Sequence, residues 1–164
     1  MALRIYLAGP DVFRPSIGEL AAAQHRLCAE LGVVALHPAD HPGLDAATIY
    51  RNNIALLRQA DGVAANLDPF RGAEIDSGTA FEVGYAVALG KPVVGYVSQP
   101  GALVDRVRDH WGPLVRDEAR RTWHDRDGDL VENFGYPVNL MIGVPCAVVT
   151  GGLRQAIETL KRAF

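Results

Sequence analysis

The chain has 164 residues, 49% of them apolar and 21% charged, which fits one globular domain over 1–164 with a full core and argues against a disordered or fibrous protein. A net charge of −3 with scattered Lys and Arg argues against nucleic acid or an anionic membrane as partner. Cys28 and Cys146 lie far apart without CxxC spacing and read as reduced, buried thiols.

A short apolar strand is expected over 3–8, which leaves no room for a signal peptide. No apolar run is long enough to span a bilayer, so a cytoplasmic location is expected. Helical patterning follows over 17–31, then a strand over 33–36, a helix over 46–59 and a strand over 62–67. The next elements are a helix over 79–89, a strand over 92–97 and a helix over 103–121. The stretch 123–141 is irregular, and a strand over 146–149 and a helix over 153–163 close the chain. Strand–helix alternation with near-continuous apolar strands predicts a parallel sheet covered on both faces. The fold expected is α/β, a five-stranded, flavodoxin-like three-layer sandwich of strand order 2-1-3-4-5.

Loops that follow parallel strands share one edge of the sheet, where α/β proteins bind ligands. That edge collects Tyr6, Asp11, Phe13, Asp40, Asp68, Asp76 and Glu82, with Arg14 and Arg71 as the nearby cations. No GxGxxG or GxxxxGK[ST] follows a strand, so phosphate is a poor fit. An uncharged, hydroxyl-rich ligand with a flat ring suits such carboxylates and aromatics.

Glu82 is expected in the first turn of a helix opened by Gly78, among Phe81, Val83, Gly84 and Tyr85. The helix dipole would favour its ionised form, and apolar neighbours would strip its water, as suits a nucleophile. The competing reading is structural: Thr79-x-x-Glu82 also matches a capping box. His37 and His41 flank Pro38-Ala-Asp40 but have no third ligand at metal spacing, so no metal is expected. Asp125, Asp127 and Asp129 read as a solvated turn rather than a calcium loop, and Trp111 and Trp123 as packing or interface residues.

Four segments carry a family resemblance: Ile5-Tyr-Leu-Ala-Gly-Pro10, Asp68-Pro-Phe-Arg-Gly72, Asp76-x-Gly-Thr-Ala-Phe-Glu-Val-Gly-Tyr85 and Pro137-Val-Asn-Leu-Met141. In order and spacing the chain resembles the nucleoside 2-deoxyribosyltransferases over nearly its whole length. The resemblance implies Glu82 as the nucleophile at C1′ of a 2′-deoxynucleoside, with Tyr6 orienting it and Asp76 holding sugar or base. It implies substrate contacts from Gly9, Asp11, Phe13, Asp40, Asn53, Asp68, Phe70, Arg71 and Gly78. Asn139 and Met141 would reach into a neighbouring subunit's site, in a homodimer or a multiple of dimers. Asn53 stands where several members carry an acid, which removes proton donation from that position. Asn66 stands where members can carry Asp. Asp76, Asp40 and Asp68 remain candidates for handling the leaving base's proton.

The reaction so implied passes the deoxyribosyl group from a nucleoside to a free nucleobase through an oxocarbenium-like transition state and a glycosyl–Glu82 ester. It requires no metal or redox cofactor. The alternatives are an N-glycoside hydrolase of deoxynucleosides or their 5′-monophosphates, and a non-catalytic nucleotide sensor. Against the monophosphate stands the first loop, Pro10-Asp-Val-Phe13, where Ser, Gly and Arg would be wanted.

Overall fold

A computed structural model describes residues 2–40, 43 and 45–164. Strand β1 (Arg4–Ala8) is an interior strand, hydrogen-bonded in parallel to β2 (Val34–Leu36) on one side and β3 (Gly62–Asn66) on the other. Strand β4 (Val93–Val97) extends the sheet from β3. The chain then forms a separate antiparallel sheet of β5 (Val115–Asp117), β6 (Thr122–His124) and β7 (Leu130–Val131). Strand β8 (Ala147–Thr150) returns to pair in parallel with β4. The main sheet runs β2-β1-β3-β4-β8, the expected 2-1-3-4-5 order with β8 as its fifth strand.

Alternation along the strands divides the core into two layers. Ile5 and Leu7 of β1 pack with Cys28 of α1 (Ile17–Glu30). Tyr6 and Ala8 face the other side, against Leu56 and Leu57 of α2 (Ala46–Gln59) and Val83 and Ala86 of α3 (Ser77–Ala88). A third, smaller cluster joins Leu103, Val104 and Val107 of α4 (Leu103–Trp111) to Val131 of the antiparallel sheet. Helix α5 (Leu140–Gly143) packs Ile142 beside α3, and α6 (Leu153–Leu160) covers the β3/β4 face with Ala156, Ile157 and Leu160. Both cysteines are buried and unpaired, and burial pushes each thiol up to about 11. No helix among the described residues is long and apolar enough to cross a membrane.

The structure corrects two expectations here. The helix expected over 103–121 ends at Trp111, because Gly112 takes a left-handed φ of 97° and Pro113 cannot continue the ladder. The stretch expected to be irregular instead supplies β6 and β7. The guanidinium groups of Arg108 and Arg116 lie over the Trp123 ring of β6, at 5.5 and 5.6 Å from its centre. Asp125 closes the β6–β7 turn, its Oδ1 accepting from the backbone N–H groups of Asp127 and Asp129.

Candidate active site

The loops after β1, β2 and β3 surround a cavity of about 480 Å³ at the carboxyl edge of the sheet. Val12, Phe13, Ile17, Pro38, Ala39 and Ile49 form its apolar wall. Its polar groups come from Asn53, Asp76, Thr79 and Glu82, and Gly9 and Gly78 bring backbone close. Gly9 cannot be enlarged cheaply, since a Cβ there would lie 2.8 Å from the Asn66 Cβ. Among the described lining residues none carries a positive charge.

Asp76, not Thr79, caps α3. Its Oδ2 accepts from the Thr79 backbone N–H at 2.8 Å and the Thr79 hydroxyl at 3.0 Å. The helix therefore starts earlier than expected, and Glu82 is its sixth residue rather than a member of its first turn. That placement removes both the capping-box reading and the dipole argument, because the dipole acts mainly within the first turn. Glu82 instead meets Tyr6, whose side chain is fully buried and whose hydroxyl donates to Glu82 Oε1 at 2.6 Å. Burial is the largest influence on this carboxyl and raises it to about 7; the Tyr6 hydrogen bond pulls it down, and the Asp76 charge pushes it up. Burial, then Glu82, raise the Tyr6 phenol far above its ordinary range.

Behind the cavity runs a chain of hydrogen bonds along the sheet edge. The Ala39 N–H donates to His37 Nδ1 at 3.0 Å, which leaves Nε2–H to donate to Gln24 Oε1 at 2.8 Å. Gln24 Nε2 donates to Asp11 Oδ2 at 2.8 Å, and Asn66 Nδ2 donates to Asp11 Oδ1 at 3.2 Å. The Asp68 N–H donates to Asn66 Oδ1, and Asp68 accepts from the N–H and hydroxyl of Ser98. His37 is 2% exposed, and burial lowers its pKa, consistent with a neutral ring.

The expected site residues therefore separate into groups. Gly9, Phe13, Asn53, Asp76, Gly78 and Glu82 line the cavity, with Tyr6 directly beneath Glu82. Asp11 and Asp68 belong to the supporting chain. Asp40 faces His25, its Oδ1 at 2.9 Å from Nε2. Phe70 stacks on Phe13 with ring centroids 5.3 Å apart, and Arg71 lies over both rings. Asn139 caps α5 through the Met141 N–H and donates to Glu132 Oε1 at 2.8 Å, and Met141 is 75% exposed. Neither lines the cavity of its own chain. His41 lies outside the described residues.

Sequence reasoning missed the wall residues Val12, Ile17, Ala39 and Ile49, and it missed Gln24. A signal for Gln24 existed: it shares the inward stripe of α1 with Ala21 and Cys28, a polar residue where the helix is otherwise apolar. A smaller cavity of about 160 Å³ adjoins the first, sharing Asn53, Gly78 and Glu82 and opening towards Tyr50 and Phe81.

A tyrosine-paired glutamate lies in an apolar cavity at the carboxyl edge of this parallel sheet, and similarity to known proteins makes the chain an enzyme of the glycosyl-transferring type. The chain belongs to the nucleoside 2-deoxyribosyltransferase family, whose model matches residues 5–141. The structure is similar to that of the 2-deoxyribosyltransferase of Leishmania mexicana, with a TM-score of 0.80 and 34% identity over 99% of each chain. An uncharacterised protein of Schizosaccharomyces pombe is 32% identical, the match covering 84% of this chain and 74% of the relative.

Proposed function

We propose that this enzyme transfers the 2-deoxyribosyl group of a 2′-deoxynucleoside to another nucleobase, with retention, through an ester between C1′ and Glu82. The observation that carries the reading is the 2.6 Å bond from the buried Tyr6 hydroxyl to Glu82 Oε1. It leaves the second carboxyl oxygen for the sugar and holds the carboxylate with one fixed donor in a site short of water. As the base departs, the developing cation and the poorly hydrated carboxylate attract each other more strongly than in water. Asp76 is the other acid among the described lining residues and is the group placed to hold a sugar hydroxyl or manage the base's proton. Asn53, which can donate and accept, meets the base. The absence of a cation among the described lining residues favours the nucleoside over its 5′-monophosphate.

The active unit proposed is a two-fold dimer, with Asn139 and Met141 completing the partner's site. Tyr50, Phe81, Met141 and Val144 are all exposed on the α2, α3 and α5 side, and the Tyr50, Phe81 and Tyr85 rings adjoin one another. Incubation of a 2′-deoxynucleoside with and without a second free base tests the reaction. Transfer predicts base exchange and a deoxyribosyl adduct on the peptide carrying Glu82. Release of deoxyribose unaffected by added base would establish a hydrolase instead.

A further inference from the structure

Arg71 stands out at the rim of the cavity. It adopts a φ of 57°, a left-handed conformation that side chains other than Gly enter at a cost, although Gly72 follows immediately. Its guanidinium lies 4.7 Å from the Phe70 ring centre and 5.2 Å from that of Phe13, and the two rings stack with 17° between their planes. Among the described residues Arg71 makes no ion pair, and its guanidinium rests on these two rings. Phe13 lines the cavity, whereas Phe70 and Arg71 do not. The strained residue thus holds its cation against two aromatic rings.

We propose that Arg71 is a positioning residue that clamps Phe13 over the cavity mouth and so decides whether the glycosyl–Glu82 ester is resolved by a base or by water. The inference rests on the transferase reading above. In transfer, a base nitrogen attacks C1′, the C1′–Oε bond breaks to return the Glu82 carboxylate, and the base loses its N–H proton. In hydrolysis water attacks the same carbon, and free deoxyribose and a proton leave. Both resolutions cleave one bond, so the partition depends on which nucleophile the mouth admits. The clamp suits this duty because it is exposed: Phe13 retains 54% of its surface. Exposed cation–π contacts are strong enough to bias the turn and weak enough to open for exchange of bases.

The test compares Arg71→Ala, Arg71→Lys and Arg71→Gly with the wild type. For Arg71→Ala the ratio of free deoxyribose to transferred nucleoside should rise about tenfold, the worth of two exposed cation–π contacts. Lys, a point charge without a stacking plane, should restore part of the loss. Gly relieves the backbone strain, so that variant should melt no lower than the wild type and still leak. The Arg14 amide, bonded to Asp11 O at 3.0 Å, reports the Phe13 turn independently of turnover. Its hydrogen exchange should quicken in Arg71→Ala and Arg71→Gly. Unchanged partition and unchanged Arg14 exchange in folded Ala and Gly variants would overturn the clamp. A loss confined to release of the first base would overturn it too, since Arg71 would then touch the substrate. If the wild type does not transfer, the transferase reading fails by itself, and Arg14 exchange still decides whether Arg71 holds the turn.

Discussion

Tyr6 on β1 and Glu82 in the second turn of α3 share one short hydrogen bond, 2.6 Å from phenol to carboxyl, beneath an apolar cavity. The pairing has a thermodynamic signature. Glu82 titrates at about 7 in the folded protein against its ordinary 4.5, so the folded state binds more protons than the unfolded state between those values. Stability from this group therefore falls as pH rises through that window, by about 3 kcal/mol in total. Glu82→Gln should remove that fall, and urea unfolding at pH 5 and pH 8 for both proteins measures it. Equal pH dependence in the two would contradict the burial argument.

Tyr6→Phe should raise the Glu82 pKa further, because the lost hydrogen bond is the one influence that lowers it. The acid limb of kcat/KM, expected near pH 7 in the wild type, should move to higher pH. Activity at neutral pH should fall about tenfold or more, with recovery in alkali. A uniform loss at every pH would mean that Tyr6 acts only on geometry.

Asp76 has two duties that one pair of variants separates. Asp76→Ala should lose the cap of α3, about 1 kcal/mol by thermal or urea unfolding, along with transfer. Asp76→Asn should keep the cap, since Asn is an equally good N-cap, and still lose most of the activity. Full activity in the Asn variant would confine Asp76 to capping.

Glu82→Ala and Asn139→Ala should each be inactive, yet complement each other when shuffled in equal amounts. Half the dimers are then mixed, and each has one site with both lesions and one with neither, so roughly a quarter of wild-type activity returns. Asn139→Ala should also lose about 1 kcal/mol, because it caps α5. Mixed dimers confirmed by mass spectrometry but inactive would mean that Asn139 serves its own chain.

The main sheet was legible because its strands are short apolar runs bounded by turn residues, as in Val93–Val97. The start of α3 was not. Asp76-x-x-Thr79 and Thr79-x-x-Glu82 are both capping patterns, and only the backbone decides which is used. The antiparallel sheet is harder to read, because its short strands follow a helical pattern that only Gly112-Pro113 interrupts. Glu82 is legible as a helix residue, but its place in the second turn and its surroundings are not. Its environment depends on Tyr6, 76 residues away, and no local window contains that contact. The partners of the loop acids are also distant in sequence: Asp11, Asp40 and Asp68 lie at the expected edge, where Gln24, His25 and Ser98 bond to them.

The linked run from Ala39 through His37, Gln24, Asp11, Asn66 and Asp68 to Ser98 makes the loops after β1 to β4 a single jointed frame. A loop transplanted from a relative would arrive without its neighbours' donors and acceptors, and each unmatched group would cost about 1–3 kcal/mol. Val12, Ile17 and Ile49 carry no such links in their side chains, yet they shape the same cavity. Reshaping the ligand repertoire of this enzyme is therefore a matter of exchanging single apolar side chains on a fixed chassis, not of grafting loops.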